Sequence, residues 1–110
     1  MKRVLLTALG AAAAVLVTAP AFADVIDGIW CYSDGRHLAI DGPSIITPGG
    51  NAITGDYTRH SFFYTVPASE PNAGSPITML LVNETTVNLW VGSAQQAGNA
   101  QVWRRCQPVA

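Results

Sequence analysis

"DGIWCYSDGRHLAI", Asp27 to Ile40, decides the fold. Two short runs of aromatic and branched apolar residues flank Asp34-Gly35, a dipeptide that favours tight hairpin turns. Read as a two-residue type I′ loop, the turn pairs Ser33 with Arg36. Tyr32 then opposes His37, Cys31 opposes Leu38, Trp30 opposes Ala39 and Ile29 opposes Ile40. Opposed residues share a face, and faces alternate along a strand. One face therefore carries Ile29, Cys31, Leu38 and Ile40, and the other Trp30, Tyr32, His37 and Ala39. The first face is apolar and is expected to be the core. The second, aromatic with an imidazole, is either covered by another part of the molecule or a recognition surface. One bulged residue in the turn would change this register.

The rest of the chain continues the pattern. Short runs rich in Val, Ile, Thr and aromatics are "SIIT" (44–47), "GDYTRHSFFYTV" (55–66), "ITMLLVN" (77–83), "TTVNLWV" (85–91) and "QVWRRC" (101–106). Turn formers separate them: "DGP" at 41–43, "TPGG" at 47–50 and "PASEPNAGSP" at 67–76. "SAQQAGNA" at 93–100 reads as loop or one short helical turn. "NET" at 83–85 fits a glycosylation acceptor, and here reads as a hairpin turn. No segment shows a capped helical period. The connections are too short for parallel crossovers. The expected fold is all-β, a small antiparallel barrel or flattened sandwich of about seven strands.

The start of the chain reads as a secretory signal peptide. Lys2 and Arg3 precede an apolar run, Val4–Val17, and Ala21-Phe22-Ala23 supplies small residues for cleavage after Ala23. This predicts an exported, periplasmic or secreted β domain spanning 24–110. Beyond residue 23 no apolar run reaches membrane-spanning length, so no anchor is expected there. That part holds all seven acids, four arginines and no lysine, a formal charge of −3. Such a balance disfavours nucleic acid and anionic lipid as partners. The two cysteines, Cys31 and Cys106, are expected to form a disulfide in an oxidising compartment.

"GDYTRHSFFY", Gly55–Tyr64, is the stretch richest in chemistry-bearing residues. On one regular strand Asp56 and His60 share a face about 13 Å apart, too far to hydrogen-bond. His60 and Ser61 point to opposite faces. The stretch then reads as a strand running from a solvated rim into the core, or as the rim of a binding mouth carrying Tyr57, Arg59 and His60. His37 and His60 make no HxH or HxxxH pair, so no metal site is implied. No serine sits in GxSxG. The absence of lysine beyond residue 23 removes Schiff-base and Ser–Lys chemistry. Asp34 and Asp41 occupy turns, where aspartate is a turn former. "PGG" at 48–50 opens no helix and cradles no phosphate. No cofactor is implied.

"GIW" at Gly28–Trp30, an up-and-down antiparallel run and an arginine in the last strand resemble the lipocalin or calycin family. That resemblance implies a barrel with Trp30 closing one end and Arg104 or Arg105 packed across it. It places Trp30 inside, whereas the hairpin register turns it away from the core; both hold only if the strand is covered on both faces. "IDGPSIITPGG", with Gly55–Tyr64, is similar to small exported bacterial proteins. In "WRRC", Trp103 and Arg105 share one face and Arg104 and Cys106 the other. Arg104 is thus expected beside the core, partnered by Asp27 or lying over an aromatic ring.

These readings point to an exported binding module presenting Trp30, Tyr32, His37, Tyr57, Arg59 and His60 to a protein or small ligand. One version is an inhibitor of a periplasmic or extracellular hydrolase, with loop 67–76 carrying the affinity. The alternatives are a structural or envelope-associated protein without a discrete site, and a small hydrolase with a histidine base. The hydrolase requires a cleft in which a histidine reaches both an acid and a hydroxyl.

Overall fold

The computed structural model describes residues 25–92 and 99–107. The expected leader and most of the 93–100 connection lie outside the described residues. Nine strands form one antiparallel sheet: β1 (Gly28–Cys31), β2 (His37–Asp41), β3 (Ser44–Ile46), β4 (Ala52–Thr54), β5 (Asp56–Thr58), β6 (Ser61–Thr65), β7 (Pro76–Asn83), β8 (Thr86–Val91) and β9 (Gln101–Arg105). Their spatial order is β4-β3-β2-β1-β9-β8-β7-β6-β5. Every strand pairs with its sequence neighbours except β4 with β5, and the first strand pairs with the last. The two ends of this order, β4 and β5, are separated in the chain by Gly55 alone. One bent run of chain thus serves both ends of the sheet, and the sheet is a nearly closed barrel. Cys31 and Cys106 are joined in a disulfide across the β1–β9 seam, with Cα atoms 5.1 Å apart.

The first hairpin corrects the expected register by one residue. Trp30 opposes Leu38, and Cys31 opposes His37. The loop has three residues, Ser33-Asp34-Gly35. Gly35 N donates to the Tyr32 carbonyl (3.0 Å) and Tyr32 N to the Arg36 carbonyl (2.9 Å). This is a type I turn followed by a bulge residue at positive φ, which Gly35 supplies at φ 100°. Asp34 clamps the loop, accepting from Arg36 N at 3.0 Å and Arg36 Nε at 2.8 Å. The Arg36 amide and guanidinium together hold the Asp34 carboxyl below its ordinary range.

The extra residue turns β1 over. Trp30, Leu38 and Ile40 are buried, whereas Ile29 is 55% exposed and His37 is exposed. The expected core face was right for β2 and inverted for β1. The disulfide sits on the Ile29 side, so a cysteine did not mark the core. β9 follows β1: Trp103 is fully buried, Arg105 points in, and Arg104 is exposed with Nη1 donating to Thr86 Oγ1 at 3.1 Å. Arg105, not Arg104, is therefore the arginine that neighbours the core.

"GDYTRHSFFYTV" is not one strand. Tyr57 pairs with Phe62 and Thr58 with Ser61, so Arg59-His60 is the turn of a β5–β6 hairpin. The Thr58 and Ser61 hydroxyls, 2.6 Å apart, brace it. The turn reverses the expected parity: Tyr57 and Phe62 both face inward, and their rings meet edge-on at 6.5 Å. With β4, a three-residue strand hidden in the loop-like "NAIT", this raises seven expected strands to nine. The expected turn at "NET" is present between β7 and β8, with Asn83 Oδ1 accepting from Thr85 N at 2.9 Å.

Inward residues of seven strands fill the barrel, Trp30, Leu38, Ile40, Ile45, Phe62, Tyr64, Ile77, Met79, Val87, Leu89 and Trp103, and the partly buried Ile53 of β4 and Tyr57 of β5 pack against them. One end is closed by the chain itself. Val25, Ile26 and Asp27 are buried across it, and Trp30 Nε1 donates to the Ile26 carbonyl at 2.8 Å. Arg105 locks this plug. Its guanidinium lies 4.4 Å from the Trp30 ring centre and donates to the carbonyls of Asp27 (2.8 Å), Val25 (2.8 Å) and Glu84 (2.5 Å). A partly desolvated cation over an indole contributes about 1–2 kcal/mol beyond these hydrogen bonds.

Candidate functional site

β9 ranks the barrel in three levels along its inward face. Arg105 belongs to the closed end, Trp103 to the middle and Gln101 to the opposite end. That opposite end opens as a mouth with a cavity of about 150 Å³, lined among others by Tyr64, Val66, Ile77, Leu89 and Trp103. These walls are the mouth-side ends of β6, β7, β8 and β9, apolar because they continue the core. Arg36, Glu70, Asn72 and Gln101 form the polar part of the lining.

Arg36, Gln101 and Glu70 are each held in place by contacts within the protein. Arg36 leaves the first hairpin at the bulge, where its guanidinium pairs with Asp34 and lies 5.2 Å from the Tyr32 ring centre and 5.6 Å from that of Trp103. Tyr32 and Trp103 stack at 5.0 Å. Gln101 Oε1 accepts from Trp103 Nε1 at 3.0 Å, satisfying the buried indole. Glu70 belongs to the loop between β6 and β7, which closes on itself through Val66 N to the Ser75 carbonyl (2.9 Å) and Gly74 N to the Val66 carbonyl (2.9 Å). Its carboxylate accepts from the Thr47 hydroxyl, from Asn51 Nδ2 at 2.6 Å and from Gly49 N at 3.2 Å. Those bonds staple the loop to the β3–β4 turn and make it a wall of the mouth.

Tyr64 differs from its neighbours. It is 9% exposed, and its hydroxyl has no hydrogen-bond partner among the described residues. Burial pushes its phenol up to about 12, with the Glu70 carboxylate adding to the shift and Arg36 opposing it. At neutral pH the phenol is protonated, as an ordinary tyrosine is, and has a proton to donate.

The closed end holds a buried acid, Asp27. Asp27 Oδ1 accepts from the Tyr57 hydroxyl, and Oδ2 from Gly42 N at 2.7 Å. The hydrogen bond to Asp27, followed by burial, raises the Tyr57 phenol above its ordinary value. Burial lowers Arg105, with the charges of Asp27 and Glu84 pulling the other way. Every strong donor and acceptor here is matched within the protein, so this cluster reads as a structural lock.

The six residues expected to form a binding face are scattered. Trp30 and Tyr57 are inside the closed end. Arg59 and His60 are exposed at the β5–β6 turn, whose Arg59 carbonyl accepts from Ile26 N at 2.6 Å. Tyr32 is half-buried against Trp103, and His37 is exposed on the outer wall. Neither histidine lines the mouth, and neither imidazole bonds an acid or hydroxyl among the described residues. No group of three or more His, Cys, Asp or Glu among them is placed to hold a metal ion. The mouth residues Arg36, Tyr64, Glu70, Gln101 and Trp103 were missed by sequence reasoning. Two of them lay in stretches that the sequence reading singled out, Tyr64 at the end of "GDYTRHSFFY" and Glu70 in the 67–76 loop, whereas Trp103 was expected on the face turned from the core.

Fold and site together define a class: a small disulfide-closed antiparallel β-barrel, plugged at one end and open at a ring-sized mouth. Compared with family models, curated proteins and solved structures, the chain matches none.

Proposed function

We propose that this protein is an exported binding module that holds a small ligand in the mouth of its barrel. The observation that carries this reading is an apolar cavity of about 150 Å³ lined by the buried Tyr64, whose hydroxyl has no partner among the described residues. An apolar cavity of that size takes a benzene-sized guest. Concave apolar sites with a few convergent polar groups are where proteins bind small molecules. The disulfide and the leader-like start support export. The Arg105–Trp30 stack supports a lipocalin-like layout.

The hydrolase-inhibitor version draws support from one feature, the exposed 67–76 loop held rigid by Glu70. It requires that loop, rather than the cavity, to carry affinity.

The test is an amide NMR titration of the oxidised domain with toluene. Shifts confined to Tyr64, Val66, Ile77, Leu89 and Trp103 are expected. Saturable shifts elsewhere, or none, would overturn the mouth as a ligand site. Export is tested separately by fractionating cells that express the full chain, with protein ending at Ala110 and beginning near Asp24 recovered outside the cytoplasm.

A further inference from the structure

We propose that the mouth selects an uncharged, ring-sized molecule carrying a hydrogen-bond acceptor oxygen, which takes its hydrogen bond from the Tyr64 hydroxyl. This rests on the mouth being a ligand site and adds the chemistry of the ligand.

Size comes first. About 150 Å³ accommodates one ring and a short substituent. The walls from Val66, Ile77, Leu89 and Trp103 offer apolar and aromatic contact on that scale.

The direction of hydrogen bonding follows from what the rim has already used. Glu70 accepts from Thr47, Gly49 and Asn51. The Gln101 carbonyl oxygen accepts from Trp103. The Glu70 carboxylate and the Gln101 carbonyl oxygen are thus engaged within the protein, and the Asn72 amide, which can accept as well as donate, belongs to an exposed residue. Away from the exposed Asn72, what remains beside the cavity is donor capacity: the hydroxyl of Tyr64, a residue more than nine-tenths buried, and the Gln101 amide NH₂ group, neither with an acceptor among the described residues. A buried hydroxyl without a partner is disfavoured, and the fitting partner is an acceptor.

Charge decides against an anion. Arg36 is the cation of the mouth, and Asp34 holds its Nε at 2.8 Å. Glu70 belongs to the same rim, so Arg36, Asp34 and Glu70 together carry a formal charge of −1. A carboxylate ligand would be desolvated without a net positive charge to meet it. A ketone, lactone or ether oxygen carries no such cost.

Three probes and one variant test this: toluene, acetophenone and benzoate, titrated into the wild type and Tyr64→Phe. The variant keeps the ring packed on Phe62 and removes only the hydroxyl. Acetophenone is expected to bind the wild type about 3- to 10-fold more tightly than the variant, the usual worth of one neutral hydrogen bond. Toluene is expected to bind both alike, which also shows that the variant's mouth is intact. Benzoate is expected to bind the wild type more weakly than acetophenone. Equal acetophenone affinity in wild type and variant would overturn the proposal, since solvent would then satisfy the hydroxyl. Tighter binding of benzoate than acetophenone would overturn it too. If toluene binds at the mouth and either of those results is seen, the ligand chemistry is wrong and the site stands. If no probe shifts the mouth resonances, site and chemistry fall together.

Discussion

Tyr64 ties the site to stability. Its folded-state phenol is raised to about 12 by burial, against an ordinary value of 10.0. Protonation of Tyr64 therefore stabilises the fold fully below about pH 10, where an unfolded tyrosine is still protonated. The contribution fades as pH rises through the folded value near 12. Two pK units correspond to about 2–3 kcal/mol. Urea unfolding at pH 8 and at about pH 12 should show the wild type losing roughly that much more stability than Tyr64→Phe. A residual alkaline slope in the variant is expected from Tyr57, raised chiefly by its bond to Asp27. Equal slopes would mean that the Tyr64 hydroxyl is well hydrated. None of this was legible in "SFFYTV", where Tyr64 reads as one more alternating aromatic. Its surroundings come from the 67–76 loop and the first hairpin, remote in sequence.

At the scale of elements, turns rather than strands settled which side chains face inward. Strand positions followed from β-branched and aromatic runs, and β2, β3, β7, β8 and β9 lie where those runs predict. The first hairpin failed by one residue because Asp-Gly suits both a two-residue turn and a type I turn with a bulge. At Arg59-His60 the turn carries none of the usual Gly, Asn or Pro signals, so a hairpin passed for a strand. Gly55 is the corner that makes β4 and β5 one bent run. A Cβ there would lie 2.4 Å from Phe62 Cε1 and 2.5 Å from the Phe63 carbonyl oxygen. The carbonyl belongs to paired backbone and cannot step aside cheaply. Gly55→Ala is expected to cost about 3 kcal/mol, a large overpacking effect. The measurement is the urea midpoint, and a loss under 1 kcal/mol would show that the corner relaxes.

For the whole molecule, the seam between β1 and β9 is the long-range closure. Every other strand pair joins neighbours in the chain, whereas this one joins residues 75 positions apart and carries the disulfide. The chain-entropy model gives such a link about 4–5 kcal/mol. The double variant Cys31→Ala, Cys106→Ala is expected to lose that much in urea unfolding. A loss below 1 kcal/mol would mean that the Arg105 plug closes the barrel unaided. The all-β class, the antiparallel order of neighbours and the cysteine pairing were determined by sequence alone. Local propensity sums along the chain, short connections forbid parallel crossovers, and two cysteines allow one intramolecular pair. Tertiary structure decided between the two conflicting readings of Trp30 and between Arg104 and Arg105, turning Trp30 and Arg105 inward, and it alone decided that Arg59 and His60 sit on a turn and that Arg36, Tyr64, Glu70 and Trp103 share a mouth. A single residue in a turn reverses a strand's faces, and a cavity exists only where side chains from distant strands converge.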